Sequence, residues 1–314
     1  MFFRMDFSIV IHGLRKSYRK DQPPAVALDG DISVRKGELF GIIGPDGAGK
    51  TTLFRMLATL LTPDAGTAEL EGLDIIRDYR KIRTILGYMP GKFSLYSDLS
   101  VRENLEFFAS VFGKDIRANY GLIENIYCRL RPFEKRKAGK LSGGMKQKLA
   151  LCCSLIHSPS ILFLDEPTTG VDPSSRRELW ENLAQLKAAG MTIVVSTAYM
   201  DEADRCDRVG MMKSGRFLTV DSPRTIISGF GKKLLAVRSD NMFTLLKDLR
   251  SMDIVSGCYT FGDTHHVTLV SGADAVAGAD TVKRTLAEKF GHTGVEVREV
   301  PATLEDCYMN LEEK

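Results

Sequence analysis

At 314 residues the chain exceeds one typical domain, and one large plus one small domain is the natural expectation. Its 44% apolar and 26% charged content excludes a disordered or fibrous chain, and a net charge of +3 is too mild to argue for nucleic acid or lipid by itself. No apolar run approaches the roughly 20 residues that cross a bilayer, and charge interrupts Met1-Phe2-Phe3-Arg4 too early for a signal peptide, so a cytosolic protein is expected.

Residues 7–12 and 31–35 alternate like strands around a loop at Pro23-Pro24. Tyr18 lies between them and reads equally as a surface aromatic or as a stacking platform for a base. The apolar run Leu39-Phe40-Gly41-Ile42-Ile43 is a buried strand leading into Gly44-Pro45-Asp46-Gly47-Ala48-Gly49-Lys50-Thr51-Thr52. A helical pattern with Leu53, Leu57 and Leu61 on one face leads out. Strand, glycine turn and helix together make the G-x-x-x-x-G-K-[ST] string a phosphate cradle. Glycines let backbone N–H groups turn inward, and the helix N-terminus adds partial positive charge. Lys50 is expected to reach the β- and γ-phosphates of ATP, with the Thr51 hydroxyl on Mg²⁺.

Thr62-Pro63-Asp64-Ala65-Gly66 stops this helix, and short strands follow near 67–71 and 85–89, then a loop at Pro90-Gly91. Val101, Leu105, Phe108 and Phe112 recur at helical spacing. Residues 129–140 carry six basic side chains against one acid, the composition of a solvated face. Leu141-Ser142-Gly143-Gly144-Met145 is a second glycine turn opening a helix, either an anion site or an ordinary serine–glycine cap. The adjacent Cys152-Cys153 sit in an apolar helical run and read as core rather than as a disulfide or zinc site.

Ile161-Leu162-Phe163-Leu164-Asp165-Glu166 is a buried strand ending in two acids, where an open α/β sheet places chemistry. Beside a phosphate loop, Asp165 would hold Mg²⁺ through water and Glu166 would orient or deprotonate an attacking water; solvated strand-end acids are the plainer alternative. A helix carrying Leu179, Leu183 and Leu186 ends at Gly190, a buried strand spans 191–196, and strands near 208–213 and 216–220 close the larger domain. Beyond Gly229 the order strand 234–238, helix 241–252, hairpin 257–270, helix 275–290, strand 294–300 and helix 303–313 suggests a small βαββαβ layer. His265 and His266 alternate along a strand, so their side chains diverge rather than share a metal.

The phosphate loop, Leu141-Ser142-Gly143-Gly144, the strand ending Asp165-Glu166 and Gly170-Val171-Asp172-Pro173 stand in a fixed order that resembles the ATP-binding subunit of an ABC transporter over roughly residues 7–230. The C-terminal layer, ending Pro301-Ala302-Thr303-Leu304-Glu305-Asp306, is similar to the extension of the ABC-2-type exporter ATPases, and Asp46 in place of the usual asparagine looks like a variant found among them. The resemblance implies an α/β fold: a P-loop NTPase with a RecA-like core in 1–230, a helical subdomain near 92–157, and a small α+β domain in 231–314. It also implies that two such domains face head to tail. Tyr18 then becomes the adenine platform. Ser142, Gly143 and Gly144 contact the γ-phosphate held by the opposite subunit, and Asp172 connects the two sites. The implied partners are a second cassette and membrane-spanning permease subunits, with no nucleic acid, and the implied place is the cytoplasmic face of the plasma membrane.

Two family positions are missing. Tyr88-Met89-Pro90-Gly91 has glycine where the pattern has glutamine, and Ser196-Thr197-Ala198-Tyr199 has alanine where it has histidine. Losing one preorganised donor costs about 10²–10³ in rate, so sound ATP binding with impaired hydrolysis is expected. A permease groove is expected near residues 92–99, with Phe93 and Tyr96 either seating a helix or lying in the core. Two other classes compete. Chromosome-maintenance relatives insert coiled coils between loop and serine turn, whereas about 90 residues without heptads lie here. Translation relatives carry two cassettes in one chain. An ATP-gated clamp without hydrolysis is favoured by Gly91 and Ala198 and opposed by Glu166.

Overall fold

The structure, a computed structural model, describes residues 6–19, 23–92, 94–116, 120–270 and 275–312. It divides into two compact units, Met1–Pro223 and Arg224–Lys314. The first unit begins with β1 (Phe7–Lys16), β2 (Val26–Ala27), β3 (Asp31–Arg35), β4 (Leu39–Ile43), α1 (Lys50–Leu57), β5 (Ala65–Leu70), β6 (Leu73–Asp74), α2 (Tyr79–Ile85) and β7 (Leu86–Met89). Helices α3 (Val101–Val111), α4 (Tyr120–Tyr127) and α5 (Gly143–Leu155) follow. The unit then runs β8 (Ile161–Asp165), α6 (Pro173–Ala188), β9 (Thr192–Thr197), α7 (Met200–Ala203), β10 (Arg208–Lys213) and β11 (Arg216–Asp221).

Among the described residues, β1, β2, β3, β5 and β6 form an antiparallel sheet. A second sheet has the order β11-β10-β4-β9-β8-β7, parallel throughout except at the β11 edge. Every residue of β4, β8 and β9 is buried, as expected where both faces of a parallel sheet are covered. Leu53, Phe54, Met56 and Leu57 of α1 are 0–2% exposed, and Phe54 meets Phe163 of β8 edge to face at 5.3 Å. Each such side chain contributes about 1.5–3 kcal/mol of gross burial, enough to hold the helix that follows the phosphate loop against the strand that carries the acids.

Several elements differ from the sequence reading. Strand β1 runs to Lys16 because Leu14 is fully buried and Arg15 pairs with both Ala27 and Ala65. Helix α1 ends at Leu57, so Leu61 lies beyond it; Thr59 adopts a left-handed φ of 60° that breaks the helix. Helix α2 was not expected, and Ile82 is its one buried residue, too little for a periodic pattern.

The second unit opens with α8 (Pro223–Ser228) and runs β12 (Leu234–Arg238), α9 (Met242–Arg250), β13 (Val255–Phe261), β14 (Thr264–Leu269), α10 (Ala275–Glu288), β15 (Glu296–Glu299) and α11 (Leu304–Glu312). Its antiparallel sheet has the order β13-β14-β12-β15, which gives the βαββαβ arrangement. Leu235, Val237 and Val267 pack with Leu245, Leu249, Val282 and Leu286 of the two covering helices. His265 and His266 do diverge: the first meets the Met242 carbonyl at 3.0 Å, the second the Asp306 carboxylate of α11 at 2.6 Å. Among the described residues no helix is long and apolar enough to cross a membrane.

Candidate functional site

The parallel register sets Ile43 beside Thr197 and Asp165 beside Ser196. Strands β4, β9 and β8 therefore end side by side, and the three segments that leave them share one edge of the sheet. From β4 comes the loop of residues 44–49. A Cβ on Gly49 would stand 2.3 Å from the Ala25 carbonyl, and one on Gly44 2.2 Å from the Met212 carbonyl, so side chains are excluded by crowding at both. Pro45, Asp46 and Gly47 are exposed, Ala48 is buried, and Gly49 turns at φ 106° directly into α1. No acid stands in the first turn of α1 to oppose an anion.

Lys50 is 3% exposed. Its Nζ donates to the carbonyls of Gly44 at 2.8 Å and Pro45 at 3.1 Å and lies 3.2 Å from Glu166 Oε1. Thr51 is half-buried, while the Thr52 Oγ1 is 3.2 Å from the hydroxyl of Tyr18, whose ring is 58% exposed. Tyr18 thus stands at the rim of the loop.

Asp165, 2% exposed, accepts from Ser196 Oγ at 2.6 Å. The Glu166 N–H donates to the same hydroxyl at 2.9 Å and to the Ser196 carbonyl at 3.1 Å. Glu166 has a left-handed φ of 48°, a strained conformation held by these bonds, and its carboxylate reaches Lys50. Gly91 sits against the same strand end: a Cβ there would be 3.2 Å from the Asp165 carbonyl and 3.9 Å from Glu166 Cβ. Next to it, burial and the nearby Asp165 carboxylate push the Tyr88 phenol up to about 12. Ala198 is exposed at the end of β9.

The second glycine turn lies elsewhere in the unit. Ser142 caps α5, its Oγ accepting from the Met145 N–H at 3.3 Å. A Cβ on Gly143 would be 3.2 Å from the Gly170 carbonyl, and one on Gly144 2.2 Å from Ser175 Oγ. Asp172 caps α6 and accepts from the Ser175 N–H at 3.0 Å, a bond that lowers its carboxyl below the usual range. The structure thus brings Ser142, Gly143, Gly144 and Asp172 together. Among the described residues, no hydrogen bond joins them to the loop of residues 44–52.

A polyphosphate fits the loop: a buried ammonium, a glycine-rich turn and the N-terminus of α1 stand together there. The Thr51 hydroxyl and the Asp165 carboxylate are the hard oxygen donors that Mg²⁺ takes. Three residues of this region were not read from the sequence. Ser196 looked only like a strand residue, and Gln147, a position in the helix after the second glycine turn, donates to the Pro167 carbonyl at 2.6 Å. Glu202, on which the sequence reading was silent, is 2% exposed. Asp201 and Asp204 flank it, so no local signal sets it apart from its acidic neighbours.

The family described as ABC transporter matches residues 29–169. The chain is 48% identical over 225 residues to the probable multidrug ABC transporter ATP-binding protein YbhF of Escherichia coli (strain K12), covering 70% of this chain and 38% of that relative. The chain thus spans well under half the length of YbhF. It is 36% identical over 284 residues to the Nod factor export ATP-binding protein I of Burkholderia lata, covering 89% of this chain and 90% of that one. Its fold matches the ATP-binding cassette MJ0796, a dimer in a post-hydrolysis state bound to ADP and Pi, with a TM-score of 0.62 at 22% identity over 68% of this chain and 98% of that one. The loop, the strand-end acids and the full-length relative agree, and the chain belongs to the ABC transporter family, among its ATP-binding proteins.

Proposed function

We propose that the chain is the ATP-binding subunit of an ABC exporter, holding Mg-ATP between two cassettes and driving transport through separate membrane subunits at the cytoplasmic face of the membrane. The observation that carries this reading is the separation of two motif clusters within one chain. Lys50, Asp165 and Glu166 lie together, whereas Ser142, Gly143, Gly144 and Asp172 lie together elsewhere. Such a chain builds half of a pocket, and a second cassette completes it. The dimer of MJ0796 and the exporter names of both relatives support that reading.

Bound Mg-ATP supplies the phosphoryl centre and the charge neutralisation for its attack by water. The chain's own residues do the rest. The loop amides and Lys50 hold the phosphates, Thr51 and Asp165 hold Mg²⁺, and Tyr18 stacks on the base. The Glu166 carboxylate takes the proton of the attacking water. Gly91 and Ala198 offer no side-chain donor, and each absent donor costs about 10²–10³ in rate, so hydrolysis at this chain's own loop is slow. Titration calorimetry tests the reading: the purified chain binds ATP, and Lys50→Ala binds it at least about tenfold more weakly. Equal affinity for both would end it.

A mostly apolar groove of about 670 Å³, lined in part by Tyr88, Met89, Leu95, Tyr96, Phe107 and Phe108, suits a helix of the membrane subunit. Tyr96 is 49% exposed and meets Phe107 edge to face at 4.6 Å; Phe93, expected beside it, lies outside the described residues. Tyr96→Asp should abolish co-purification with the membrane subunit at unchanged ATP affinity. A second reading, an ATP-gated clamp that barely hydrolyses, is favoured by Gly91 and Ala198. Turnover measured with and without membrane subunits separates the two.

A further inference from the structure

Glu202 of α7 is 2% exposed, and a carboxylate at that depth requires polar partners. Its Oε2 accepts from Thr197 Oγ1 at 2.7 Å and from Thr168 Oγ1 at 3.0 Å. Its Oε1 lies 3.3 Å from Arg176 Nε, within ion-pair range but without the alignment of a hydrogen bond. The partners come from three different places: the end of β9, the turn after β8 and the first turn of α6. A second path closes the ring. The Tyr199 N–H donates to Thr197 Oγ1 at 3.0 Å, and the Arg176 guanidinium lies 4.2 Å over the Tyr199 ring.

One half of this carboxylate is fixed and the other has slack. On one side the network holds Thr197 and Tyr199, the residues flanking the exposed Ala198, at the edge where β9 ends beside β4 and the phosphate loop. On the other side, the segment between Thr168 and Arg176 carries Asp172 and packs on Gly143 and Gly144. A shift of the turn at 197–199 therefore reaches Thr168 and Arg176 through a single buried group. A contiguous network of hydrogen bonds and an ion pair, joining elements that face two sites, is one physical form that coupling between sites takes.

We propose that Glu202 is a positioning residue that couples occupancy of the phosphate loop to the Asp172 turn and α6, and so to the face offered to a second cassette. The proposal rests on the nucleotide reading above. The chain's single tryptophan, Trp180, is one helical turn beyond Arg176 on α6 and 3% exposed, which makes it a built-in reporter.

The test pairs calorimetry with Trp180 emission on the full chain titrated with Mg-ATP, for the parent, Glu202→Gln and Thr168→Val. In the parent, emission changes with the midpoint that calorimetry gives. In both variants the emission change falls at least threefold while ATP affinity stays within threefold. Variants that keep the full change overturn the proposal, as does a parent that binds ATP with no change at Trp180. Loss of affinity in proportion to the lost signal also overturns it, because Glu202 would then only support the fold. If Glu202→Gln does not fold, Thr168→Val decides by the same outcomes. A parent that gives no heat of binding overturns the nucleotide reading itself, and this proposal with it.

Discussion

Lys50 Nζ lies 3.2 Å from Glu166 Oε1, so the cation of the phosphate loop and the acid after β8 form an ion pair within one chain. The ammonium is buried and also donates to two loop carbonyls, while the carboxylate keeps part of its surface in solvent. In the proposed reading an incoming γ-phosphate competes with Glu166 for Lys50, and so frees the carboxylate for its own work.

Lys50→Ala removes a charge-assisted donor worth about 1.5–3 kcal/mol. ATP affinity should fall roughly 10- to 150-fold, since each 1.4 kcal/mol is tenfold. Titration calorimetry against the parent checks it, with thermal unfolding confirming that the variant is folded.

Two loop glycines should respond differently to alanine. Gly47 has a left-handed φ of 80° but nothing within 4 Å of a Cβ, so Gly47→Ala should cost about 1–2 kcal/mol through backbone strain alone. Gly49→Ala adds a 2.3 Å collision with the Ala25 carbonyl and should also remove ATP binding. Thermal melts of the two variants, with ATP titrations, give the comparison.

Ala198→His should raise turnover, by about 10²-fold if the imidazole acts as a preorganised donor. Ala198 is exposed, so the ring has room. Gly91→Gln should gain less, because its Cβ would meet the Asp165 carbonyl at 3.2 Å and the strand end must give way. The two gains need not add, since they act on one transition state. Steady-state phosphate release by the four combinations, including the parent, measures this.

In the second unit, Asp306 is fully buried and accepts from the Tyr259 hydroxyl, His266 Nδ1 at 2.6 Å, and both the N–H and the hydroxyl of Thr303 at 2.6 Å. Burial alone would raise its pKa, but the bonds from His266, Thr303 and Tyr259 outweigh it and the carboxyl falls below the ordinary 3.8. A folded pKa below the unfolded one adds stability that is complete above the unfolded value and is lost as pH falls through the folded one. The unit should therefore hold its stability above about pH 4 and lose this contribution below it. Asp306→Ala should cost about 3–5 kcal/mol, as breaking a buried charged network does. Denaturant unfolding of parent and variant at pH 7 and pH 3 should show the difference shrinking at the lower pH.

How much was legible depends on range. The run 39–43 and the glycines after it imply strand, turn and helix, because burial pattern and turn chemistry act over a few residues. The same holds for the order of the βαββαβ layer. Elements with one or two buried residues, such as α2 and the two-residue β2, left no periodic mark. In the site, Lys50, Asp165, Glu166 and the turn at 142–144 stood out as strings. Ser196 and Glu202 did not, because nothing local separates a buried serine or glutamate from an exposed one.

The amino-acid sequence by itself determined the phosphate loop, the strand-borne acids, the second glycine turn and the two absent donors, since each is a matter of residue type at a given spacing. Only the tertiary structure decided that Lys50 pairs with Glu166, that Gly144 packs on Ser175 rather than on the loop, and that Glu202 is enclosed by Thr168, Arg176 and Thr197. Those relationships join residues far apart along the chain. They are set by the register of β4, β9 and β8 and by how the helices cover that sheet, which no local pattern of side chains encodes.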